Sequence, residues 1–307
     1  MSTSDSPLVI CLGSVVADHT FKVDEIPQAP AKARARGYEL KIGGMAANAA
    51  IAVRRLGGRA AYWGRLGDDG NADILIDGLT TEGIELGGMK RIPGGRSAVA
   101  AVLVDPLGER VTLGYRGEGL DPDPSWLPLD TLDKAGALLC DPRWPEGAQA
   151  ALEAAEQRGI PTVLDGERSE TRLLLDLVPR VRYAIFSVTG LTNYGSGARA
   201  PEALRKAVSE GVTQMAAVTR GEKSTLWILR GEERIRETPI FRVTASDTTG
   251  AGDVFHGAFA LAMAEGMEME AAIRFSSAAG ALRARDGATA HRAELEAFLQ
   301  ENAAIAE

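Results

Sequence analysis

The sequence has few of the residues on which disulfide frameworks and transition-metal sites depend. Its 307 residues include two cysteines, Cys11 and Cys140, and three widely separated histidines, His19, His256 and His291. Two cysteines exclude a disulfide framework, and both lie in apolar runs, so we predict buried free thiols in a reducing cytoplasm. Without a CxxC or HExxH pattern, the sequence gives no basis for a transition-metal site.

Long apolar runs and clusters of basic residues are also missing. No stretch of about 18 uncharged apolar residues occurs, and MSTSDSPLVICLG carries no basic leader, so we expect a cytoplasmic protein without a membrane partner. The formal net charge is -8, from 34 Lys and Arg against 42 Asp and Glu. Because the basic residues are scattered, we expect no nucleic-acid partner. An anionic ligand must therefore be bound by a few local cations.

The chain instead alternates short β-rich apolar runs with Ala-rich helical stretches. Examples in chain order are LVICLG, AANAAIAVRRLG, GALLC, ALEAAEQRG, PTVLD, YAIFS and EALRKAVSEG. Strands that are apolar throughout are typical of a parallel sheet covered by helices on both faces. We predict an α/β fold with a doubly wound, mostly parallel sheet. With 45% hydrophobic residues and no internal repeat or linker, residues 1–307 are predicted to form a single domain.

Two segments, at about 18–42 and 91–117, interrupt this alternation. They contain β-like runs without an intervening helix, namely HTFKVDEIP, ARGYELK, SAVAAVLVD and RVTLGYR. The turn DPLGER between the last two predicts a hairpin. We therefore predict a small β-sheet lid whose strands are inserted in the larger domain.

The segment DTTGAGDVFHGAF, residues 247–259, carries the strongest chemical signal. Small residues at Gly250, Ala251 and Gly252 permit close approach of a ligand, and the apolar helix that follows places its N-terminus at this loop. Free amides and the helix dipole favour an anion such as a phosphoryl group. In that field Asp253 stays ionised and can accept a hydroxyl proton. From this segment alone, Asp253 as a helix-capping residue is equally consistent.

A second segment, GGMAANAA at residues 43–50, strengthens the ligand-binding interpretation. Asn48 lies in an otherwise apolar helix, where a buried amide needs partners, which favours a role in ligand binding. With both segments, about 200 residues apart, the chain resembles the ribokinase-like sugar kinases, also called the phosphofructokinase-B family. The resemblance extends to LVICLGSVVAD, the lid-like segments and VTRGEKST.

The resemblance implies an ATP-dependent kinase and a role for individual residues. Gly250, Ala251 and Gly252 would form an anion hole, with Asp253 as the catalytic base. Sugar hydroxyls would be bound by Asp18, Gly43, Gly44 and Asn48. The nucleotide would lie near Thr219, Gly221, Ser277 and Gly280, and a monovalent cation such as K⁺ near Asp247, Thr249 and Gly287. A homodimer formed through the lid is also implied. From the residues alone, Asp18 is equally consistent with a solvated turn.

The chain departs from the family pattern at the expected magnesium motif. Relatives often carry Asn-x-x-Glu near the middle of the chain, whereas the matching run here is Ser187-Val188-Thr189-Gly190. Asp165 and Glu167, at the end of PTVLD, offer oxygen ligands of the type that Mg²⁺ prefers. We predict them as substitutes.

Within the family, CDPRWPEGA at residues 140–148 and GDVFHGA are most similar to the sulfofructose kinases. Arg143 follows a strand at the edge where open α/β sheets bind ligands, and a guanidinium suits a sulfonate, phosphate or carboxylate. Lys32 and Arg116, from the two lid segments, are further candidates. We expect transfer to the 1-hydroxyl of an anionic ketose such as 6-deoxy-6-sulfofructose. Alternatives are fructose, ribose or 2-keto-3-deoxygluconate as substrate, a surface salt bridge for Arg143 and a solvated position for Lys32.

The sequence also bears on three interpretations from other classes. A Rossmann oxidoreductase needs GxGxxG after the first strand, where this chain has CLGSVVAD. A P-loop needs Gly before its Lys, whereas Glu222 precedes Lys223 in GEKST. A non-catalytic sugar- or nucleotide-binding regulator on the same scaffold is favoured by the altered magnesium motif and disfavoured by retention of Asp253 and its loop.

Overall fold

The computed structural model describes residues 6–30 and 32–302. Its strands, in chain order, are β1 (Leu8–Leu12), β2 (Val16–Lys22), β3 (Gly37–Gly43), β4 (Arg59–Gly67), β5 (Glu85–Ile92), β6 (Val99–Val104), β7 (Arg110–Tyr115), β8 (Ala135–Cys140), β9 (Thr162–Gly166), β10 (Tyr183–Phe186), β11 (Met215–Arg220), β12 (Lys223–Leu229) and β13 (Arg236–Thr238). Its helices are α1 (Met45–Arg55), α2 (Gly70–Thr81), α3 (Pro145–Gln157), α4 (Thr171–Leu177), α5 (Val188–Tyr194), α6 (Ala200–Ser209), α7 (Ala251–Ala264), α8 (Met269–Asp286) and α9 (Arg292–Glu301).

Nine strands form the larger sheet, in the order β13-β12-β11-β10-β9-β8-β1-β4-β5. The seven strands β11, β10, β9, β8, β1, β4 and β5 are parallel to one another, and β12 and β13 are antiparallel to their neighbours. Helices cover both faces: α1, α2, α7, α8 and α9 pack on one and α3 to α6 on the other. The predicted doubly wound, mostly parallel α/β fold is confirmed.

Strand β1 shows why its sequence is apolar at every position. Val9 and Cys11 belong to the core on one face of the sheet, whereas Ile10 and Leu12 belong to the core on the other. A strand buried on both faces has no polar side to present to water. Cys140 of β8 lies in the core opposite to that of Cys11, and both thiols are free and buried, as predicted.

The second sheet has four strands in the order β3-β2-β6-β7 and is called the lid sheet below. It comes from the two segments predicted at about 18–42 and 91–117. The predicted DPLGER hairpin joins β6 to β7, where the Asp105 carboxylate accepts hydrogen bonds from the amides of Leu107 and Glu109 at 2.9 and 3.0 Å. Among the helices of the described residues, none combines the length and apolar character needed to cross a membrane.

Candidate active site

Helix α7 begins directly after a glycine that the turn requires. Gly250 has φ 73°, in the left-handed region where other residues are strained, and the Ala251 amide donates to Thr248 O at 3.2 Å. The next amides, of Gly252 and Asp253, belong to the first helical turn, which has no intrahelical acceptors. The predicted anion-binding loop therefore lies at the N-terminus of a 14-residue helix.

Asp253 and Asn48 meet where α7 packs on α1. Asn48 Nδ2 donates to Asp253 Oδ2 at 2.7 Å. The two helices approach closely because Gly257 has no side chain, and a Cβ there would lie 2.5 Å from the carbonyl oxygen of Ala49. Small residues along α1 and α7 thus bring together the two motifs that the sequence places about 200 residues apart.

Burial controls the electrostatics of the two acidic residues at this point. Burial raises the pKa of Asp253 above its ordinary value, while the Asn48 hydrogen bond and the nearby His256 act in the opposite direction. On β2, burial and then the charge of Asp253 raise the pKa of Asp18 to about 6. Two carboxylates that influence each other in a secluded site are suited to proton transfer and hydroxyl binding.

A cavity of about 310 Å³ separates the lid sheet from α1, α7 and α8. Asp18, Asn48 and Gly250 line it, together with four cations that the lid sheet and α8 supply. These cations are Lys22, Lys41, Arg110 and Arg283. The lid sheet therefore covers the site with charged side chains as well as the apolar Ile42, Val102 and Val104.

The glycines at the start of α1 provide room for neighbouring groups. A Cβ at Gly43 would overlap the Asp18 carboxylate, and one at Gly44 would lie 2.6 Å from the carbonyl oxygen of Ser14. Gly44 also has φ 98°, which favours glycine. In this structure the two glycines shape the site by close packing, and direct contact with a sugar stays a prediction.

The three basic residues predicted to bind an anionic substrate differ in position. Arg143 is half-buried beyond the end of β8, and its Nη2 donates to Arg168 O at 3.1 Å. Lys32 and Arg116 are exposed, and none of the three is among the residues that line the 310 Å³ cavity. The structure thus brings Arg143 to the carboxyl edge of the sheet but leaves it outside the cavity lining, as it does Lys32 and Arg116.

Asp141 organises the carboxyl edge of the larger sheet, although no motif in the sequence pointed to it. Its Oδ2 accepts from the amide and hydroxyl of Ser14 at 2.7 and 2.8 Å and from Ala46 N at 3.3 Å. Its Oδ1 accepts from Arg143 N at 2.8 Å. A buried Asp directly after an apolar strand is the signal that identifies it. One carboxylate thereby joins the ends of β1 and β8 to the start of α1.

His256 is a second group that the sequence analysis left unused. Its Nδ1 lies 2.7 Å from Gly252 O and 3.4 Å from Asp165 Oδ2, and its Nε2 lies 3.2 Å from Ile185 O. Carbonyl oxygens only accept, so a ring nitrogen that bonds to one of them does so as the donor. Burial raises the pKa of Asp165 to about 7, and His256 opposes that rise. The ring supports the loop beneath Asp253.

The residues predicted to bind magnesium lie near the same edge but in different surroundings. Asp165 is buried against His256, whereas Glu167 Oε1 accepts from Ser187 Oγ at 3.0 Å. A side chain at Gly190 would overlap the carbonyl oxygen of Gly166, which explains why no glutamate stands there. In residues 6–30 and 32–302, no cluster of three His, Cys, Asp or Glu side chains forms a ready metal site.

The predicted nucleotide residues lie on two elements, with Thr219 and Gly221 at the end of β11 and Ser277 and Gly280 on α8. Thr219 Oγ1 donates to Phe186 O at 3.4 Å, and Gly221 forms the turn between β11 and β12 with φ 61°. Ser277 has a buried hydroxyl that makes no hydrogen bond within the described residues. A Cβ at Gly280 would lie 3.0 Å from Ala251 O, so Gly280 allows α8 to pack against the start of α7.

The predicted cation residues are also brought together. Thr249 N donates to Asp247 Oδ1 at 2.8 Å, and a Cβ at Gly287 would lie 3.7 Å from the Asp247 Cβ. Arg110 and Arg283 both contact the Asp247 carboxylate. Although burial raises its pKa, hydrogen bonds from Thr249 and Arg110 and the charge of Arg283 hold the pKa of Asp247 below its ordinary value.

Comparison with known proteins identifies the family. Residues 6–295 match the family described as pfkB family carbohydrate kinase. The chain belongs to this family. An ATP-dependent ribose-1-phosphate kinase of Halopiger xanaduensis is 30% identical over 286 residues, covering 91% of this chain and 93% of the relative. The expected ATP-dependent carbohydrate kinase of the ribokinase-like type is confirmed at this level.

Two solved structures share the fold of this chain. A crystal structure from Agrobacterium tumefaciens, provisionally assigned as a ribokinase, has a TM-score of 0.90 at 32% identity and covers 96% of this chain and 98% of that chain. Arabidopsis thaliana ribokinase complexed with ribose and ATP has a TM-score of 0.81 at 22% identity, covering 96% and 99%. At this lower identity the likeness concerns the fold.

Proposed function

We propose that this carbohydrate kinase transfers the γ-phosphoryl group of ATP to the 1-hydroxyl of an anionic ketose. The best candidate is 6-deoxy-6-sulfofructose, which would give the 1-phosphate. The observation that carries the catalytic part of the proposal is the 2.7 Å hydrogen bond between Asn48 Nδ2 and Asp253 Oδ2. It fixes a carboxylate beside an anion-binding helix N-terminus and a secluded cavity, which is the arrangement that phosphoryl transfer needs.

In this mechanism Asp253 accepts the proton of the attacking hydroxyl. The loop of Gly250, Ala251 and Gly252 stabilises the charge that develops on the transferred phosphoryl oxygens. Asp18 and Asn48 line the cavity and would orient the sugar through its other hydroxyls. Coverage by the lid sheet would exclude water, which otherwise competes as the phosphoryl acceptor. A half-buried carboxylate beside an anion-binding loop favours catalysis over the alternative of a non-catalytic regulator.

The local cations support an anionic substrate. The backbone of Arg143 is held by Asp141, and its guanidinium uses one donor on Arg168 O at 3.1 Å. A guanidinium has five N–H donors, so most of this fork is available to a sulfonate. Lys22 adds positive charge to the cavity wall, whereas Lys41 is paired there with Glu39 at 3.2 Å and Arg143 lies outside this wall. Fructose, ribose and 2-keto-3-deoxygluconate remain the alternative substrates, of which the last is also anionic.

The residues near the missing Asn-x-x-Glu motif suit a magnesium ion held mainly by nucleotide phosphates. Gly190 occupies the position of the motif's glutamate and has no carboxylate. Glu167, oriented by Ser187 Oγ at 3.0 Å, would supply one instead. Mg²⁺ keeps several waters and binds through one or two carboxylates plus substrate phosphates, which fits this sparse set. When bound with ATP it would neutralise phosphate charge. Because Asp165 is paired with His256, we give the metal role to Glu167.

Association and location complete the proposal. On β7, Val111, Leu113 and Tyr115 are 47%, 74% and 43% exposed and share one face of the lid sheet, which supports a homodimer formed through that sheet. Two buried free thiols, Cys11 and Cys140, are typical of a reducing compartment and support action in the cytoplasm.

Substitution of Arg143 separates an anionic substrate from a neutral one. Arg143→Ala should lower kcat/KM for sulfofructose by a factor that corresponds to a loss of about 2 to 5 kcal/mol in transition-state stabilisation. Losses of this size follow when one partner of a desolvated charge pair is removed. The value for fructose should stay within about threefold, because fructose makes no such pair. The matched control is Arg172→Ala, because the side chain of Arg172 is 91% exposed. Equal losses on both sugars would make Arg143 structural and remove the support for sulfofructose.

A further inference from the structure

Two guanidinium groups enclose the carboxylate that the family resemblance assigns to a monovalent cation. Arg110 Nη1 lies 2.7 Å from Asp247 Oδ1, and Arg283 Nη2 lies 3.5 Å from Asp247 Oδ2. Arg283 Nη1 also donates to Asp247 O at 3.1 Å. The three side chains are only 14% to 24% exposed, so these ion pairs are partly shielded from solvent.

Two backbone oxygens beside Asp247 already accept hydrogen bonds. Ala284 O accepts from the amides of Ser246 and Asp247 at 2.8 and 3.1 Å, and Arg285 O accepts from Ser246 Oγ at 2.7 Å. A cation such as K⁺ is coordinated by several oxygens that take the place of its hydration shell. It would also be repelled by two fixed guanidinium charges. The described residues therefore do not fit a monovalent cation at this position.

Arg283 instead lies against the anion-binding loop. A Cβ at Gly250 would be 3.9 Å from Arg283 Nε, and both residues line the cavity with Asn48. Arg283 also contacts the carboxylate and the carbonyl oxygen of Asp247. One side chain therefore contacts Asp247 and lies next to Gly250 in the turn that precedes α7. A guanidinium cannot be deprotonated under ordinary conditions, so its positive charge is permanent.

We infer that Arg283 is a positioning residue that serves as a built-in cation beside the anion-binding loop, so that this kinase works without K⁺ or another monovalent cation. The inference rests on the proposed function at Asp253 but not on the identity of the sugar. Arg110 reaches the same carboxylate from strand β7 of the lid sheet. Asp247 is thus paired from both sides of the cavity, and Arg283 is the partner that lies next to the loop.

The first measurement compares the wild-type kinase in potassium chloride and in choline chloride at equal ionic strength. We expect the same kcat and KM in both salts, and the same melting temperature of the ADP complex. A bound cation would stabilise the folded protein by RT ln(1 + c/Kd), where c is the K⁺ concentration, so the melting temperature would rise with K⁺ concentration. Activation by K⁺ of about tenfold, which corresponds to about 1.4 kcal/mol, or a K⁺-specific rise in melting temperature would overturn the inference.

The second measurement uses Arg283→Met, with Arg285→Met on the same helix as the control. Arg285 is 44% exposed and pairs with Asp286 at 2.7 Å. In choline chloride, Arg283→Met should lower kcat by about 10²-fold with the KM for ATP changed less than about threefold, as expected when a contact at an anion hole is lost. Retention of near-normal kcat would contradict the inference.

Further controls keep the result interpretable. Arg283→Lys retains a positive charge without the fork, so its kcat should lie between those of the wild type and Arg283→Met if the charge is what matters. A kcat equal to that of Arg283→Met, in a variant with wild-type melting temperature, would contradict a role for the charge. If no sugar is phosphorylated by the wild type, the proposed function fails, whereas the melting comparison with ADP still decides whether a cation binds.

Discussion

Asn48 of α1 and Asp253 of α7 are joined by a 2.7 Å hydrogen bond across 205 residues of sequence. The contact depends on the close packing of the two helices at Gly257 and Ala49. It explains an amide in an otherwise apolar helix, because the donor of Asn48 is satisfied by the carboxylate that we propose as the base. The same contact makes the protonation of Asp253 sensitive to Asn48.

Replacement of Asn48 should shift the pH dependence of the reaction. The Asn48 hydrogen bond lowers the pKa of Asp253, whereas burial raises it. In Asn48→Ala the pKa of Asp253 should rise further, so the fall in kcat on acidification should begin at higher pH than in the wild type. A pH profile of kcat measures this shift. A variant with a higher KM but an unmoved acidic limb would show that Asn48 binds sugar without tuning the base.

The sequence was sufficient for the fold class and for the parts of the site that lie on local motifs. The Gly250–Asp253 loop, the amide at Asn48 and the lid strands depend on short-range patterns of glycine, alanine and β-branched residues. Contacts between distant segments were not predictable in this way. Asp141 joins β1, β8 and α1, and His256 contacts the carbonyl oxygen of Ile185, 71 residues away, so neither role is visible in a local pattern.

Asp18 should lower the stability of the ligand-free protein at neutral pH. Its pKa is raised to about 6, so the folded protein binds a proton more readily than the unfolded chain. Its contribution to stability is therefore present below about pH 4 and is lost as the pH rises to about 6. The full pKa shift corresponds to about 3 kcal/mol in the free energy of unfolding. Because the carboxyl is partly exposed, we expect a contribution of about 1 kcal/mol.

Asp18→Asn tests this relationship. The variant should melt about 2 °C higher than the wild type at pH 7.5, with a smaller difference near pH 4, and should bind sugar more weakly. Thermal unfolding at both pH values and a sugar titration are the required measurements. Stabilisation that is equal at the two pH values would show that the effect of Asp18 is not electrostatic.

Glu167 should affect the magnesium requirement of the reaction. Glu167→Gln removes the carboxylate charge while keeping an oxygen for Ser187, so we expect a higher Mg²⁺ concentration for half-maximal rate with little change in folding stability. Glu170→Gln makes the same charge change at an exposed position three residues away and serves as the control. If both variants show the wild-type Mg²⁺ dependence, the metal is held without Glu167.

The basic residues of the lid segments show where prediction from sequence was least informative. The positive charge of Lys32 and Arg116 and their place in the lid segments predict that they bind an anionic substrate. The path of a loop between strands, however, is set by contacts that no local pattern records. In the structure both are exposed outside the cavity, whereas Lys22 and Lys41 line it. Strand alternation accounts for this, because Asp18, Thr20 and Lys22 share one face of β2.

Asp253→Asn tests the central claim most directly, because it keeps the shape of the side chain and an oxygen for Asn48 while abolishing the base. General-base assistance is worth about 10² to 10⁴ in rate, so kcat with the best sugar of the panel should fall by that factor. The melting temperature and the affinity for ADP should remain near those of the wild type. A variant that folds, binds ADP and retains near-normal kcat would contradict the assignment of Asp253 as the catalytic base.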